Sequence, residues 1–404
     1  MKTIGRILLT HLLLTLLFIG AMTAVFLIPH NAIKDHVRQS VEQLSNEGPK
    51  YTIHLGLLQP YKLAVFSDCL MMGIAYCGDE RHPLESAMSN RFLVIDGSPI
   101  KGSRAMLEEP GHERLRTVIY SRYWHGNQVI IRPLLCVMPL KGIRMLNVVL
   151  LFLLLVTLLA TMRRRIGKAD ALIVTGCLAA VMIPSVPLCL NYVSTFYIGL
   201  IASLLILSWR ATTAQWLNTV IVFYVIGAMT TYLDLLTTPM VAMAVPLMVY
   251  MLYIKSKRPW RTVIVLSLSW LLGYASLWAT KWFLAALITH HASWQDAMGA
   301  MTQRTVGHGE QDYMLWCLKR TLMALGIVVA LVAGFIALSK NRLYHLRHEG
   351  WMLLVAAASF VWALVLLEHT WHHLHFTWRT LAVALIGITL YLRHSALTSK
   401  PKET

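Results

Sequence analysis

Long apolar runs, most of them about the length needed to cross a bilayer, recur along the chain, and one extended polar segment interrupts them after the first. They predict spans over residues 7–28, 146–162, 171–184, 193–209, 216–233, 239–254, 262–288, 321–338, 351–367 and 377–392. The chain therefore reads as an all-α integral membrane protein of about ten transmembrane helices. The third run is short and ends in Pro184 and Pro187, so the stretch to Asn191 is expected to be broken or re-entrant. The first run follows Lys2 and Arg6, exceeds a signal-peptide core and lacks a small-x-small cleavage site, which predicts an uncleaved anchor.

This pattern divides the chain into a first transmembrane helix (1–28), a large outer-face insertion (29–145), a multi-span bundle (146–393) and a cytoplasmic tail (394–404). The insertion is too polar for lipid and too long for a connecting turn. Within it, Asn31 is placed to cap a helix with Ile33, Val37, Val41 and Leu44 on one face, an interfacial helix lying along the membrane. Ser67 is placed to cap a short apolar helix with Asp68 in its first turn. Residues 121–140 begin aromatic and basic and become apolar, predicting a second interfacial helix bent by Pro133 and Pro139.

Composition agrees: 57% of residues are hydrophobic and 14% charged, with a mean hydropathy of +0.59. The net charge of +17 does not point to nucleic acid, because Lys and Arg cluster beside the apolar runs, where they orient helices and meet anionic headgroups. Arg163, Arg164, Arg165 and Lys168 follow the second run, Lys255, Lys257, Arg258 and Arg261 the sixth, Lys340, Arg342 and Arg347 the eighth, and Arg393, Lys400 and Lys402 the last. Every second short loop is basic, so both termini are expected in the cytoplasm of a bacterial cell, with the insertion outside. The six cysteines show no CxxC pair or zinc spacing; Cys69 and Cys77 are close enough in sequence to pair in an oxidised loop, but not eight residues apart on a helix.

Sidedness then gathers Asp68, His125, Asp234, Lys281, Arg304, His308, His369, His373 and Arg379 on the outer side. A single span, surface helices around an acid and a multi-span bundle occur together with the stretches SDCLMMGIAY, YSRYWHGNQVIIRPLL, YLDLLTTPMVAMAVPL, GYASLWATKW and HHLHFTWRTLAV. In these the chain resembles the GT-C glycosyltransferases, polytopic enzymes that take a sugar from a polyprenyl-phosphate carrier on the outer membrane face. The resemblance implies a lipid-linked sugar donor, an envelope acceptor, and a carboxylate in the first outer loop as general base, which falls on Asp68.

Such transfer needs a base for the acceptor hydroxyl and cations for the departing phosphate. Asp68 either caps its helix or serves as that base. Asp234 either caps the turn through Thr237, Thr238 and Pro239 or is a second catalytic carboxylate. Lys281 either snorkels beside Trp278 and Trp282 or offers a point charge to phosphate, and Arg379 either anchors a span end or grips phosphate with forked donors. His373, His125 and Arg304 complete the candidates for substrate or phosphate contact. The segment 304–309, RTVGHG, reads as an outer loop able to close over a headgroup. No HExxH motif and no DxD or ExD pair in the first outer loop occur, Asp79-Glu80 being the nearest approach, so no cofactor is expected and a divalent metal, while compatible, is not indicated. The alternatives are a transporter or flippase, disfavoured by the lack of an internal span repeat, and a non-catalytic envelope assembly protein.

In a background without native cysteines, a cysteine replacing Glu108 should be labelled from outside intact cells and one replacing Lys257 should not. The reverse pattern overturns the orientation.

Overall fold

The computed structural model describes residues 2–48, 51–53, 61–109, 111–209, 216–306, 311–338 and 342–397. Among these, six helices are long and apolar enough to cross a membrane: Ile4–Phe26, Leu140–Arg165, Trp216–Leu233, Pro259–Thr289, Tyr313–Ala337 and Leu374–Ala396. The chain is thus all-α and, by helix length and composition, a multi-pass membrane protein. Four further apolar helices are shorter: Val65–Cys77, Val193–Ser208, Pro239–Ile254 and Trp351–Val365. The 16 residues of Pro239–Ile254 reach roughly 24 Å, less than the hydrocarbon core. That helix is buried from Pro239 to Leu252, so neighbouring protein rather than lipid surrounds it.

In chain order the elements are α1 (Lys2–Phe26), α2 (His30–Glu47), β1 (Thr52–Ile53), β2 (Tyr61–Lys62), α3 (Val65–Cys77), α4 (Pro83–Ser89), β3 (Phe92–Val94), α5 (Pro99–Glu108), β4 (Arg116–Val118) and α6 (Gln128–Leu135). The bundle follows as α7 (Leu140–Arg165), α8 (Lys168–Met182), α9 (Val193–Ser208), α10 (Trp216–Leu233), α11 (Pro239–Ile254), α12 (Pro259–Thr289), α13 (Ser293–Val306), α14 (Gln311–Leu338), α15 (Arg342–Glu349), α16 (Trp351–Val365), α17 (Leu367–His372), α18 (Leu374–Thr377) and α19 (Leu381–Leu397).

The insertion packs onto the bundle and is more varied than helices alone. β1 pairs with β2 and β3 with β4, both antiparallel. α5 lies so close to β3 that a Cβ on Gly102 would come within 2.1 Å of the Leu93 carbonyl oxygen. In α2 the predicted face of Ile33, Val37, Val41 and Leu44 is buried, but it packs against α3, α5, α6 and α7 instead of lying on lipid. Pro29, not Asn31, occupies its cap position. α3 starts before Ser67, with Ala64 at the cap. The helix expected over 121–140 shortens to α6, with Pro133 inside it and Pro139 preceding α7. All six cysteines are free, and Cys69 and Cys77 both lie on α3.

The expectation of a broken third run matches the backbone: α8 stops at Met182, and the chain runs through non-helical turns to Tyr192. α10 and α12 make the tightest helix crossing. A Cβ on Gly227 would sit 2.0 Å from the Trp270 carbonyl oxygen, and one on Gly273 2.0 Å from that of Tyr224. Small residues let the two backbones touch, and dispersion contacts replace a hydrophobic drive that lipid cannot supply. In the segment 304–309, residues up to Val306 continue α13. His308 lies outside the described residues, as do Lys340, Lys400 and Lys402.

Gly273→Val should force α10 and α12 apart and destabilise the protein by about 1–3 kcal/mol or more. Gly176→Ala, where the added Cβ meets nothing within 4 Å, should leave stability unchanged or slightly raised. Thermal unfolding in detergent distinguishes them, and equal stability of the two variants would refute the close crossing.

Candidate functional site

Asp68 sits on the first turn of α3, and its carboxylate serves other elements than its own helix. Its Oδ1 accepts from the backbone N–H of Leu190 at 3.0 Å, and its Oδ2 from Nη2 of Arg144 at 3.1 Å. Arg144, near the start of α7, also grips Glu47 at the end of α2 through both terminal nitrogens. One guanidinium thus holds two carboxylates, and Asp68 has no exposed surface. Burial pushes the Asp68 carboxyl up to about 6, against the opposing pull of Arg144 and the Leu190 N–H. The cluster ties α2, α3, α7 and the 183–192 segment together.

Lys281 and Arg379 are similarly engaged. Lys281, buried on α12, donates to the carbonyl oxygens of Ala87 at 3.0 Å and Met88 at 2.9 Å, with its ammonium 5.5 Å from the Trp124 ring centroid. It satisfies the last turn of α4, whose dipole presents negative potential there. Arg379 donates to the His375 carbonyl oxygen at 2.9 Å and to the Ser185 hydroxyl, with its guanidinium 4.6 Å from the Tyr192 ring centroid. Asp68 and Arg379 therefore fasten the 183–192 segment at different points.

A different set of side chains gathers around Asp234. This residue closes α10, and its carboxylate accepts from the Thr237 N–H at 2.9 Å and from the Thr237 hydroxyl. The turn takes Leu236 into left-handed backbone at φ +66°, and the Leu236 carbonyl oxygen accepts from His369 Nε2 at 2.9 Å. The rings of His369 and His373 lie 4.8 Å apart, and His373 stacks on Phe376. Tyr123 stacks on Trp278, and the Arg304 guanidinium lies 5.4 Å from the Tyr123 ring centroid. His125 is buried against Tyr120 and Tyr123. The indoles of Trp278 and Trp282 both donate to the Arg122 carbonyl oxygen, at 2.6 and 2.9 Å, which seats this loop on α12.

These groups form one electrostatic neighbourhood. Burial raises the Tyr123 phenol, Arg304 lowers it, and Asp234 raises it further. Burial pushes the Asp234 carboxyl up to about 7, opposed by hydrogen bonds from Thr237 and the turn backbone. Burial and then Arg304 push His369 down to about 4. Burial and the neighbouring His369 also lower His373, while burial and Lys281 hold His125 well below its ordinary value. At neutral pH the neighbourhood contains neutral imidazoles, a guanidinium and a carboxyl close to its titration point, a set able to accept a proton and hold an anion. Asp234, Arg304 and His373 meet here with His125 at the edge, whereas Asp68, Lys281 and Arg379 bond elsewhere. Tyr123, and Tyr274, whose ring centroid lies 5.6 Å from that of Trp278, join the set without a sequence signal beyond the aromatic stretches that contain them. Among the described residues, no three His, Cys, Asp or Glu side chains are grouped to hold a metal ion.

A cavity of about 670 Å³ runs between α6, α7, α9 and α10. Its walls are overwhelmingly apolar, from Trp209 and Leu205 to Leu233 and Asn127. Leu233 adjoins Asp234, and Asn127 lies two residues from His125. Two buried polar atoms of the lining, Asn127 Oδ1 and Ser194 Oγ, have no hydrogen-bond partner among the described residues. No family model, curated protein or solved structure matches the chain.

Arg144→Met strands the buried Asp68 carboxylate and the half-buried Glu47 and should cost about 3–5 kcal/mol, whereas Asp68→Asn leaves Arg144 paired with Glu47 and should cost about 1–3 kcal/mol. A folded carboxyl near 6 binds its proton more tightly than the unfolded chain does. Its contribution to stability is full below about pH 4 and is lost as pH rises through 6. Thermal unfolding should show that decline between pH 4 and 7 alongside a parallel one from Asp234, and Asp68→Asn should make the slope shallower while leaving the Asp234 share. A variant with the unaltered slope would exclude Asp68 as its source.

Proposed function

We propose that the chain is a ten-span bacterial cell-membrane glycosyltransferase with both termini cytoplasmic, transferring a sugar from a polyprenyl-phosphate carrier to an envelope acceptor on the outer face. The ten spans are the six long helices together with α8, α9, α11 and α16. One observation carries the reading: the apolar cavity of about 670 Å³ is lined in part by Leu233, which adjoins Asp234, and by Asn127, two residues from His125. Its volume falls within the range of small-molecule sites. An isoprenoid chain in that cavity would leave its phosphate among Arg304, His369 and His373, with the Asn127 and Ser194 oxygens along its approach.

In this arrangement Asp234 takes the proton of the acceptor hydroxyl. Its carboxyl near 7 suits a base working at neutral pH better than an ordinary carboxylate does. Arg304 stabilises the phosphate as it leaves, and the neutral imidazole of His373 orients it through its N–H, while His369, whose Nε2–H is committed to the Leu236 carbonyl oxygen, holds the turn in place. Asp68, paired with the Arg144 guanidinium, acts as a positioning residue through it. Lys281 holds the end of α4 and Arg379 holds the 183–192 segment.

Purified protein in lipid discs should transfer sugar from synthetic polyprenyl-phosphate donors. Asp234→Asn should lower that rate by about 10²–10⁴ with melting temperature retained, and Arg304→Gln should weaken donor use as well as slow transfer. Full transfer by Asp234→Asn alongside abolished transfer by well-folded Asp68→Asn would return the base to Asp68. Failure of the intact protein with every donor would overturn the enzyme reading.

A further inference from the structure

A second cavity, of about 610 Å³, lies at the other end of α11, whose first residue Pro239 follows the Asp234 turn and whose last residue Ile254 precedes Lys255. Lys255 and Lys257 line it. Lys255 caps α11 in left-handed backbone at φ +51°, a conformation that favours glycine or asparagine, yet here the chain carries a cation. No ion pair engages either lysine among the described residues.

Two acids also line the cavity. Asp170 is neutralised by Arg393 at 2.6 Å and touched by His394 Nε2 at 3.2 Å, which leaves Glu349 as the acid against both lysines. His348 and His394 line the same space, and Arg258, Arg261 and Arg347 flank it in sequence with positive charge. α12 and α16 both begin here without a side-chain cap, so their dipoles add positive potential. The floor is apolar, built by the buried Met251, Leu252, Trp351 and Met352. A cationic rim over an apolar floor suits a phosphate that carries hydrocarbon better than a free anion.

We propose that this cavity binds the headgroup phosphate of an anionic glycerophospholipid, with Lys255 and Lys257 as its cationic contacts, independently of the transferase reading. The bound lipid would join the α11–α12 link to α16 and α19 at the face remote from Asp234.

The test is native mass spectrometry of the delipidated full chain in nonionic detergent, titrated with phosphatidylglycerol, phosphatidylcholine or glycerol 3-phosphate. Phosphatidylglycerol should bind about tenfold or more tighter than phosphatidylcholine. Lys255→Gln/Lys257→Gln should remove most of that preference, while Arg163→Gln/Arg164→Gln, which takes the same charge from the exposed end of α7, should retain it. Lys257→Gln alone should give a partial loss, and it supplies the readout if the double variant folds poorly. Equal loss in both double variants would reduce the preference to general surface charge and overturn the site. So would an unaltered preference in the lysine variants. Glycerol 3-phosphate competing as strongly as the lipid would overturn the lipid assignment in favour of a free phosphate.

Discussion

The Arg144 guanidinium, buried between Glu47 and Asp68, is the contact on which the placement of the insertion depends. Three charges taken out of water are tolerable only if each keeps its partners, because desolvation outweighs any single Coulomb attraction. Their helices, α2, α3 and α7, are therefore held as a unit, and the Leu190 N–H adds the 183–192 segment to it. Two acids on one base leave the group negative, and burial, with a smaller push from the Glu47 charge, raises the Asp68 carboxyl.

A second anchorage works from the opposite side of the insertion. Lys281 holds the end of α4, Trp124 donates to the Leu277 carbonyl oxygen at 2.8 Å, and two indoles of α12 hold the Arg122 carbonyl. The loop from Tyr120 to Asn127 continues from this anchorage. Gly126 donates to the Tyr232 carbonyl oxygen at 2.8 Å, and its missing Cβ gives the Tyr232 ring its place. That close approach sets Tyr123 and His125 against the end of α10, where Asp234 begins its turn.

The apolar runs made the bundle legible, since long hydrophobic helices leave a signal that tertiary contacts cannot erase. The site was less legible, for identifiable reasons. Asp68 is visible in the sequence as a first-turn acid, but its partner Arg144 falls at the end of the predicted insertion. An arginine in the opening turns of a long apolar helix is the available clue. Lys281 and Arg379 carry charges suited to phosphate, yet backbone carbonyls and a hydroxyl claim them, and such partners have no sequence signature. Asp234 shows the converse: its bond to Thr237 follows from adjacency, while His369 reaches the same turn at the Leu236 carbonyl from 133 positions away and Arg304 reaches the neighbouring Tyr123 ring from a distant helix. The two β ribbons were missed because pairings of two or three residues are too short for alternation to show.

The Lys281 ammonium meets the Met88 carbonyl across 193 positions of chain. A ribosome that has finished the insertion has not yet made the residues that complete it. The last carbonyls of α4 wait for α12, and the Arg122 carbonyl waits for the same helix. During synthesis the polar insertion must therefore remain an unfinished subassembly, its polar backbone served by water, until α12 has been made. One helix thus has two duties in hydrogen bonding and in hydropathy: α12 is long and apolar enough to cross a bilayer, and it closes the structure begun before it.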